Sequence, residues 1–147
     1  MKETIINAIL TIVLLLTTYF FLMVALGLEH NFSLRILNAV FMLGGLYWAI
    51  RKVGFEHGDN FNYFSGASTG VIISIGVGIL FSTIIGIYLA LNPAFMMEIK
   101  ATEPQGEYLN PVGLSLLIFI EALASGILFT YGSLQYLKSS RLENIHS

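Results

Sequence analysis

The feature that most constrains the fold is an apolar run close to the N-terminus. Residues 4–28 carry no charge, and almost every one of them is apolar. A helix needs about 20 such residues to cross about 30 Å of hydrocarbon. Only 11% of the residues in the chain are charged, whereas soluble domains carry about 25%. The chain therefore has too few charges for a water-facing surface, and we expect an integral membrane protein.

Further runs of the same kind follow, and their boundaries are marked by recognisable residues. The second run opens near Ser33 and closes before Arg51. The third stops at Asn92 because a residue that precedes proline disfavours helix, and the fourth begins at Asn110-Pro111, a cap followed by proline at the first helical position. The sequence predicts a single all-α membrane domain over residues 1–147, a bundle of four transmembrane helices. Their spans are about 5–27, 33–51, 66–91 and 110–137.

A secretory signal peptide is the rival interpretation of the first span. Lys2 precedes the apolar run, and Ala25-Leu26-Gly27 is a small-x-small site of the kind that signal peptidases cleave. The apolar region of a signal peptide has about 7–15 residues, however, and this one is nearly twice as long. We therefore interpret it as a retained span.

The placement of lysine and arginine predicts the orientation, because short cytoplasmic loops retain an excess of positive charge. Counted over the termini and loops, five of these residues lie on the side of the N-terminus and two on the other side. The two are Arg35 and Lys100, and the five are Lys2, Arg51, Lys52, Lys138 and Arg141. The rule predicts that both termini are cytoplasmic and that the 92–110 segment lies outside.

The third span has a small residue at every fourth position. The series is Gly66, Gly70, Ser74, Gly78, Ser82 and Gly86. Small residues let helix backbones approach closely where lipid gives no hydrophobic driving force, so we interpret the series as a packing surface rather than a pore. On a straight helix the series drifts by about 40° per step. We therefore expect one neighbouring helix at the Gly66 end and a different one at the Gly86 end.

Glu121 is the residue that packing alone does not explain. It lies eleven residues after Asn110, which is about 16 Å along the helix and near the centre of a bilayer. An ionisable group there costs at least about 2.5 kcal/mol unless it faces protein or water. Ser125 and Gln135 fall on the same side of a helical wheel. We therefore predict an inward-facing polar site.

The second span offers partners for Glu121, since Asn38 and Arg35 lie near its start. Two interpretations of the site stay open. In one, Glu121 is a hydrogen-bonded lock between helices. In the other, it is a proton or cation site, because intramembrane carboxyl groups recur in relay chemistry.

The sequence lacks the residues that several other functions require. The chain has no cysteine, its net charge is −2 with seven lysines and arginines, and it has no Gly-x-Ser-x-Gly or His-Glu-x-x-His motif. We therefore expect no enzyme, cofactor, metal site or nucleic-acid partner. Glu56, His57 and Asp59 are ligand types, but neighbouring residues in one loop rarely converge on a metal. The residues around Met96-Met97 are expected to form a short interfacial segment after Pro93.

Several short motifs together carry a resemblance to a known family. They are Phe64-Ser65-Gly66-x-x-x-Gly70, Asn92-Pro93-x-Phe95, Phe119-Ile120-Glu121-Ala122 and Gln135-Tyr136-Leu137-Lys138. Over about residues 35–138 the chain resembles small four-span inner-membrane proteins of Bacteroidetes-type bacteria, catalogued as a domain of unknown function of the 4199 type. The resemblance implies a multi-pass protein of the bacterial inner membrane. It implies no reaction and transfers no catalytic residue.

Two functional hypotheses follow from these patterns. The first is a non-enzymatic accessory or oligomerising subunit, whose partners are the lipid bilayer and either a second copy or a membrane complex. The alternative is a small proton- or cation-coupled transporter that uses Glu121. A dry, hydrogen-bonded Glu121 favours the first hypothesis, and a polar cavity at Glu121 favours the second.

Overall fold

The protein is all helical within the residues that the structure describes. This computed structural model describes residues 2–28, 32–58 and 61–146, with side chains for residues 2–28, 36–58 and 61–138. The helices are α1 (Lys2–Leu26), α2 (Phe32–His57), α3 (Tyr63–Leu91), α4 (Pro93–Thr102) and α5 (Pro111–His146), with a 3₁₀ turn at Gly106–Tyr108. Four of them, α1, α2, α3 and α5, are long and apolar enough to cross a membrane. The predicted all-α bundle is confirmed, and the orientation of its termini stays a prediction.

Two helices continue past their predicted ends. Helix α2 runs to His57 rather than to residue 51, and α5 has 36 residues and runs to His146. Charged residues end an apolar run, but they do not end a helix, and both Arg51 and Lys52 lie within the last turns of α2. At 1.5 Å per residue α5 is about 54 Å long, which exceeds the hydrocarbon thickness of a bilayer.

Asparagine side chains cap two of the helices. The side-chain oxygen of Asn110 accepts from the backbone N–H of Gly113 at 2.6 Å, as the sequence predicts. At the start of α3 the side chain of Asn62 accepts from the backbone N–H of Ser65 at 2.8 Å. A cap of this kind satisfies one of the backbone donors that the first turn leaves unpaired.

Helix α3 packs against α5 along the whole series of small residues. Gly66 faces Leu134 at one end of the contact, and Gly86 faces Ser115 at the other. The hydroxyl of Ser115 also donates to the backbone carbonyl of Ser82 at 2.6 Å. The expectation that two different helices share this surface is therefore wrong. It treated the helices as straight, whereas a single antiparallel partner that meets both ends must wind around α3.

The close approach between α3 and α5 depends on small residues from both helices. A Cβ atom added at Gly70 would overlap the side chain of Thr130, and one added at Gly126 would overlap Ser74. At Gly78 the added atom would lie 3.0 Å from the ring of Phe119. This interface holds the two helices at fixed register, and it therefore fixes which residues of α5 face the rest of the bundle.

Helices α1 and α2 complete the bundle on the other sides of α3. A Cβ atom at Gly76 would lie 2.6 Å from Ile9 of α1, and Ile12 and Leu16 of the same helix are buried in the core. Beyond the core, the hydroxyl of Thr4 donates to the carboxylate of Glu56 at 2.5 Å. This bond joins the start of α1 to the end of α2.

The short helix α4 folds back against the end of the bundle. Its Met96 is buried, and Phe95 and Ile99 pack against the core. The ring of Phe95 meets Tyr88 edge-on at 5.6 Å and Phe20 at 6.3 Å between centroids. The predicted short segment after Pro93 is therefore a ten-residue helix that closes one end of the helix bundle.

Candidate ligand cavity

A cavity of about 620 Å³ lies beneath α4, between the ends of α1, α2, α3 and α5 that α4 covers. We call it the α4 cavity. The polar residues that line it are Asn38, Thr102, Glu103, Gln105, Glu121 and Ser125. Its apolar walls include Tyr19, Phe20, Met23, Phe81, Ile85 and Phe95. Ligand sites in proteins are mostly apolar pockets of about 300–1,000 Å³ with a few polar groups, and this cavity fits that description.

Glu121 lines the α4 cavity from the third turn of α5, about 15 Å from the start of the helix. The residue is exposed, and it lines the cavity together with Ala122 and Ser125. The hydroxyl of Ser125 donates to the backbone carbonyl of Glu121 at 2.7 Å, so this hydroxyl is satisfied within its own helix. The carboxyl of Glu121 is therefore the ionisable group that α5 supplies to the cavity.

Asn38 lies opposite Glu121 on α2. The contact between Met42 and Gly126 sets the register of α2 against α5. The two helices run in the same direction. One turn before this contact, Asn38 of α2 is therefore level with Ala122 of α5, the neighbour of Glu121 in the sequence. The Oδ1 atom of Asn38 is buried and has no hydrogen-bond partner among the described residues. An unpaired buried acceptor is costly, and it calls for a donor.

The structure brings together three of the five residues predicted to form the polar site. These are Asn38, Glu121 and Ser125. Gln135 is exposed and does not line the cavity, because fourteen residues of helix place it about 21 Å beyond Glu121. Arg35 belongs to α2, but its side chain lies outside the described residues. The polar stripe of α5 therefore extends only from Glu121 to Ser125 at the cavity.

The described lining of the α4 cavity contains acidic residues and no basic ones. It contains the carboxyl groups of Glu103 and Glu121, and none of its described residues is a lysine, arginine or histidine. Glu103, Pro104 and Gln105 are exposed and form the rim. A cleft with apolar walls and charges of one sign focuses the electric field and raises the local concentration of the opposite ion. This arrangement favours a cation.

The rim of the cavity was not predicted from the sequence. Residues 92–110 were interpreted as a loop with a short interfacial segment, and no role was assigned to Glu103 or Gln105. The sequence does contain a local signal for the helix that carries this rim. Pro93 stands at a helix start, and Phe95 and Ile99 are one turn apart, so both fall on one face of a short helix. That face is the one that covers the bundle.

The other residues of ligand type lie away from the α4 cavity. Glu56 accepts from Thr4, and the Nδ1 atom of His57 lies 3.0 Å from the backbone carbonyl of Val53. Asp59 is outside the described residues. Within the described part of the chain no three histidine, aspartate or glutamate side chains come together as a metal site would require.

Comparisons with protein-family models, with curated proteins and with solved structures find no match to this chain.

Proposed function

We propose that this chain is a non-enzymatic multi-pass membrane protein that binds a small cation in the α4 cavity, as the binding unit of a proton- or cation-coupled transporter. The observation that carries the proposal is the position of Glu121. It lies about 15 Å from the start of a helix long enough to cross a bilayer, and it lines a cavity rather than a packed core. Intramembrane carboxyl groups that face a cavity mark ion and substrate pathways.

The cost of placing Glu121 at this depth supports the same function. A carboxyl in hydrocarbon is unfavourable by several kcal/mol unless water, a partner or a ligand solvates it. A lock between helices would be expected to be enclosed by protein, but Glu121 is exposed and Asn38 beside it has an unpaired buried oxygen. An open cavity provides the carboxyl of Glu121 with room for water or a cationic ligand.

Water in the α4 cavity can be tested with single cysteines, because the chain has none of its own. Ser125→Cys places a thiol on the cavity wall, whereas Ala124→Cys places one at nearly the same depth on an exposed face outside the cavity. In nanodiscs we expect a charged, membrane-impermeant methanethiosulfonate to label Ser125→Cys at least tenfold faster. The reason is that a thiol reacts as its thiolate, which forms in water and not in lipid.

Equal rates at the two cysteines, or no labelling at either, would show that the cavity is not open to water. The proposed function would then be wrong, and Glu121 would be a structural lock. Thermal unfolding of both variants is the control, since each replaces a small side chain by another small side chain.

The accessory or oligomerising function is the second candidate. Gly44 and Gly132 lie within α2 and α5, and a Cβ atom added at either would meet nothing within 4 Å. Small residues on an outer helix surface allow another helix to approach closely. The observation favours a contact with a further helix but does not involve Glu121, so the two functions can be tested separately.

We also propose the predicted topology, with both termini and the 51–63 segment in the cytoplasm of a bacterium and the α4 cavity toward the outer side of its inner membrane. The support is the excess of lysine and arginine on one side and the resemblance described above. Single cysteines at Asp59 and Gln105 are expected to differ in their reaction with an impermeant maleimide on intact cells. Gln105→Cys should react and Asp59→Cys should not, and the opposite pattern would reverse the topology.

A further inference from the structure

We infer that the end of α2 opposite to the α4 cavity binds the headgroup of an anionic phospholipid. The site consists of four exposed side chains, which we call the α2 patch: Trp48, Arg51, Lys52 and Phe55. The inference goes beyond the proposed function, because the α2 patch shares no residue with the lining of the α4 cavity. It follows from the level of the patch in the bundle, from its charge and from the way its rings hold its cations.

The level of Arg51 in the bilayer follows from contacts between neighbouring helices. A Cβ atom added at Gly66 of α3 would meet both Leu134 of α5 and Ile50 of α2. Arg51 and Gln135, the next residues of these two helices, are therefore level with each other. Residues 36–50 of α2 are uncharged, and Arg51 follows them directly. The α2 patch therefore lies where the apolar part of the helix ends, which is the depth of phospholipid headgroups.

This end of the bundle is basic, whereas the α4 end is acidic. Among the described side chains it carries four lysines and arginines with two glutamates, and the α4 end carries one lysine with three glutamates. The charged residues are Lys2, Arg51, Lys52, Lys138, Glu3 and Glu56 at the basic end, and Lys100, Glu98, Glu103 and Glu107 at the α4 end. A surface of this sign attracts anionic lipids.

Glu56 is the acidic residue nearest to the α2 patch in the sequence. It lies one turn after Lys52, and its carboxylate accepts a hydrogen bond from Thr4 of α1 at 2.5 Å. Its charge acts on Lys52, which follows from the spacing of four residues on one helix. Arg51 is therefore the cation of the patch that we expect to contact a phosphate.

The aromatic rings of the α2 patch hold its two cations at the helix surface. The guanidinium carbon of Arg51 lies over the ring of Phe55, 5.5 Å from its centroid, and Lys52 Nζ lies 5.2 Å from the ring of Trp48. A guanidinium that lies on a ring keeps the N–H donors at its edge, in a fork that matches two phosphate oxygens. The patch can therefore bind a phosphate with little further loss of side-chain freedom.

The surface beside the patch fits the acyl chains of the same ligand. Leu37, Val40 and Trp48 are exposed and lie on the same side of α2 as Arg51, at helical spacing. A phospholipid with its phosphate at Arg51 places its chains along this apolar strip. A free phosphate ion or an acidic peptide would use the cations alone, so the arrangement favours a lipid.

Trp48 is the one tryptophan of the chain, so its fluorescence reports which lipid lies at the α2 patch. The full chain is reconstituted in phosphatidylcholine vesicles with increasing fractions of phosphatidylglycerol or phosphatidylcholine that carry bromine on their acyl chains. Bromine quenches a tryptophan that it contacts. We expect phosphatidylglycerol to bind about fivefold more tightly, the factor that about 1 kcal/mol per basic residue near an anionic surface gives. Both leaflets have one composition, so the orientation of the chain does not affect the result.

Two variants with the same change of charge separate a site from general attraction. Arg51→Gln should reduce the preference for phosphatidylglycerol to twofold or less, whereas Lys138→Gln, at the same end but on α5, should leave it unchanged. Because the preference is a ratio of two lipids, a direct effect of the substitution on Trp48 fluorescence cancels. Both residues are exposed, so thermal unfolding should be unchanged in both variants.

Three outcomes would overturn the inference. Equal quenching of the unmodified chain by both brominated lipids would show that the α2 patch does not recognise an anionic headgroup. An effect of Lys138→Gln as large as that of Arg51→Gln would show attraction by the charge of the whole end instead of a site. Loss of the preference on addition of inorganic phosphate at constant ionic strength would show that the ligand is the free ion rather than a lipid.

Discussion

Gly70→Leu is expected to lower the free energy of unfolding by about 1–3 kcal/mol, or to prevent the bundle from forming. A Cβ atom at this position would already overlap the side chain of Thr130, and leucine adds three further carbon atoms. Overpacking of a well-packed interface typically costs about 1–3 kcal/mol. The gain in helix propensity over glycine, about 1 kcal/mol, does not offset it. Thermal unfolding in detergent is the measurement.

A series of leucine substitutions at other glycines provides matched controls. Gly78→Leu should cost less than Gly70→Leu, because its nearest neighbour is the ring of Phe119 at 3.0 Å, which can turn. Gly132→Leu should not lower the unfolding temperature and should raise it slightly, since nothing lies within 4 Å of the added atom and leucine favours helix over glycine. If Gly132→Leu instead breaks a dimer seen with the unmodified chain, the accessory function is supported at that surface.

If Gly70→Leu fails to fold, a pair of smaller substitutions tests the same contact between Gly70 and Thr130. Gly70→Ala alone should be destabilising, and Thr130→Gly should restore most of the loss by removing the atoms that the new methyl group meets. The two residues are in contact, so their effects should be clearly non-additive. Additive effects would mean that α3 and α5 do not approach each other at this point.

The spans could be predicted from the sequence because each depends on a local property. An uncharged run near 20 residues long, a proline and a capping asparagine are visible without any tertiary contact. For the same reason the predicted spans do not show where the helices of α2 and α5 end. Arg51 and Lys52 mark where an apolar run stops, whereas helical hydrogen bonds continue to His57.

The partners of the helices depend on contacts that a single-helix calculation does not contain. The drift of the small residues from Gly66 to Gly86 applies to a straight helix. It could not show that α5 winds around α3, because that depends on Thr130, Gly126 and Ser115 being small at matching positions on α5. The same register places Asn38 beside Glu121 and leaves Gln135 about 21 Å away.

Part of the α4 cavity was also accessible from the sequence. Glu121 could be predicted as a site residue because an ionisable residue in an apolar span requires a partner or a function. Asn38 could be predicted as its partner because it is a polar residue near the start of the second span. The rim residue Glu103 could not be found in this way. An acidic residue in a polar loop is ordinary, and it acquires a role only when α4 folds back and brings that loop to the cavity.

Glu121→Gln is expected to weaken cation binding by tenfold or more and to abolish pH-dependent flux in proteoliposomes while the bundle folds normally. Glutamine keeps the size of the side chain and can still form hydrogen bonds, but it has neither the charge nor the exchangeable acid proton. A charge-assisted hydrogen bond contributes about 1.5–3 kcal/mol, which corresponds to a loss of about tenfold to a hundredfold in affinity. The measurements are protection of Ser125→Cys from the methanethiosulfonate by added sodium or ammonium ions, and proton flux into proteoliposomes under an imposed pH gradient.

Glu103→Gln is the matched control for this prediction. It removes a carboxyl from the same cavity lining, but at an exposed rim where water screens the charge. We expect at most a fewfold loss of affinity, and a loss that shrinks as salt is added. If Glu103→Gln lowered the affinity as much as Glu121→Gln does, the cation would bind at the mouth of the cavity rather than beside Asn38.

Glu121→Leu tests whether the carboxyl holds the helices together. As a structural lock, Glu121 should tolerate glutamine and be destabilised by leucine, by about 1–3 kcal/mol, through groups left without hydrogen bonds. As a ligand site in an open cavity, it should tolerate glutamine in thermal unfolding and lose binding with both substitutions. If glutamine unfolds the protein as badly as leucine does, Glu121 is ionised and paired within the protein. Arg35, one turn from Asn38 on α2, would then be the first partner to test by substitution, and both functional hypotheses for the carboxyl would be wrong.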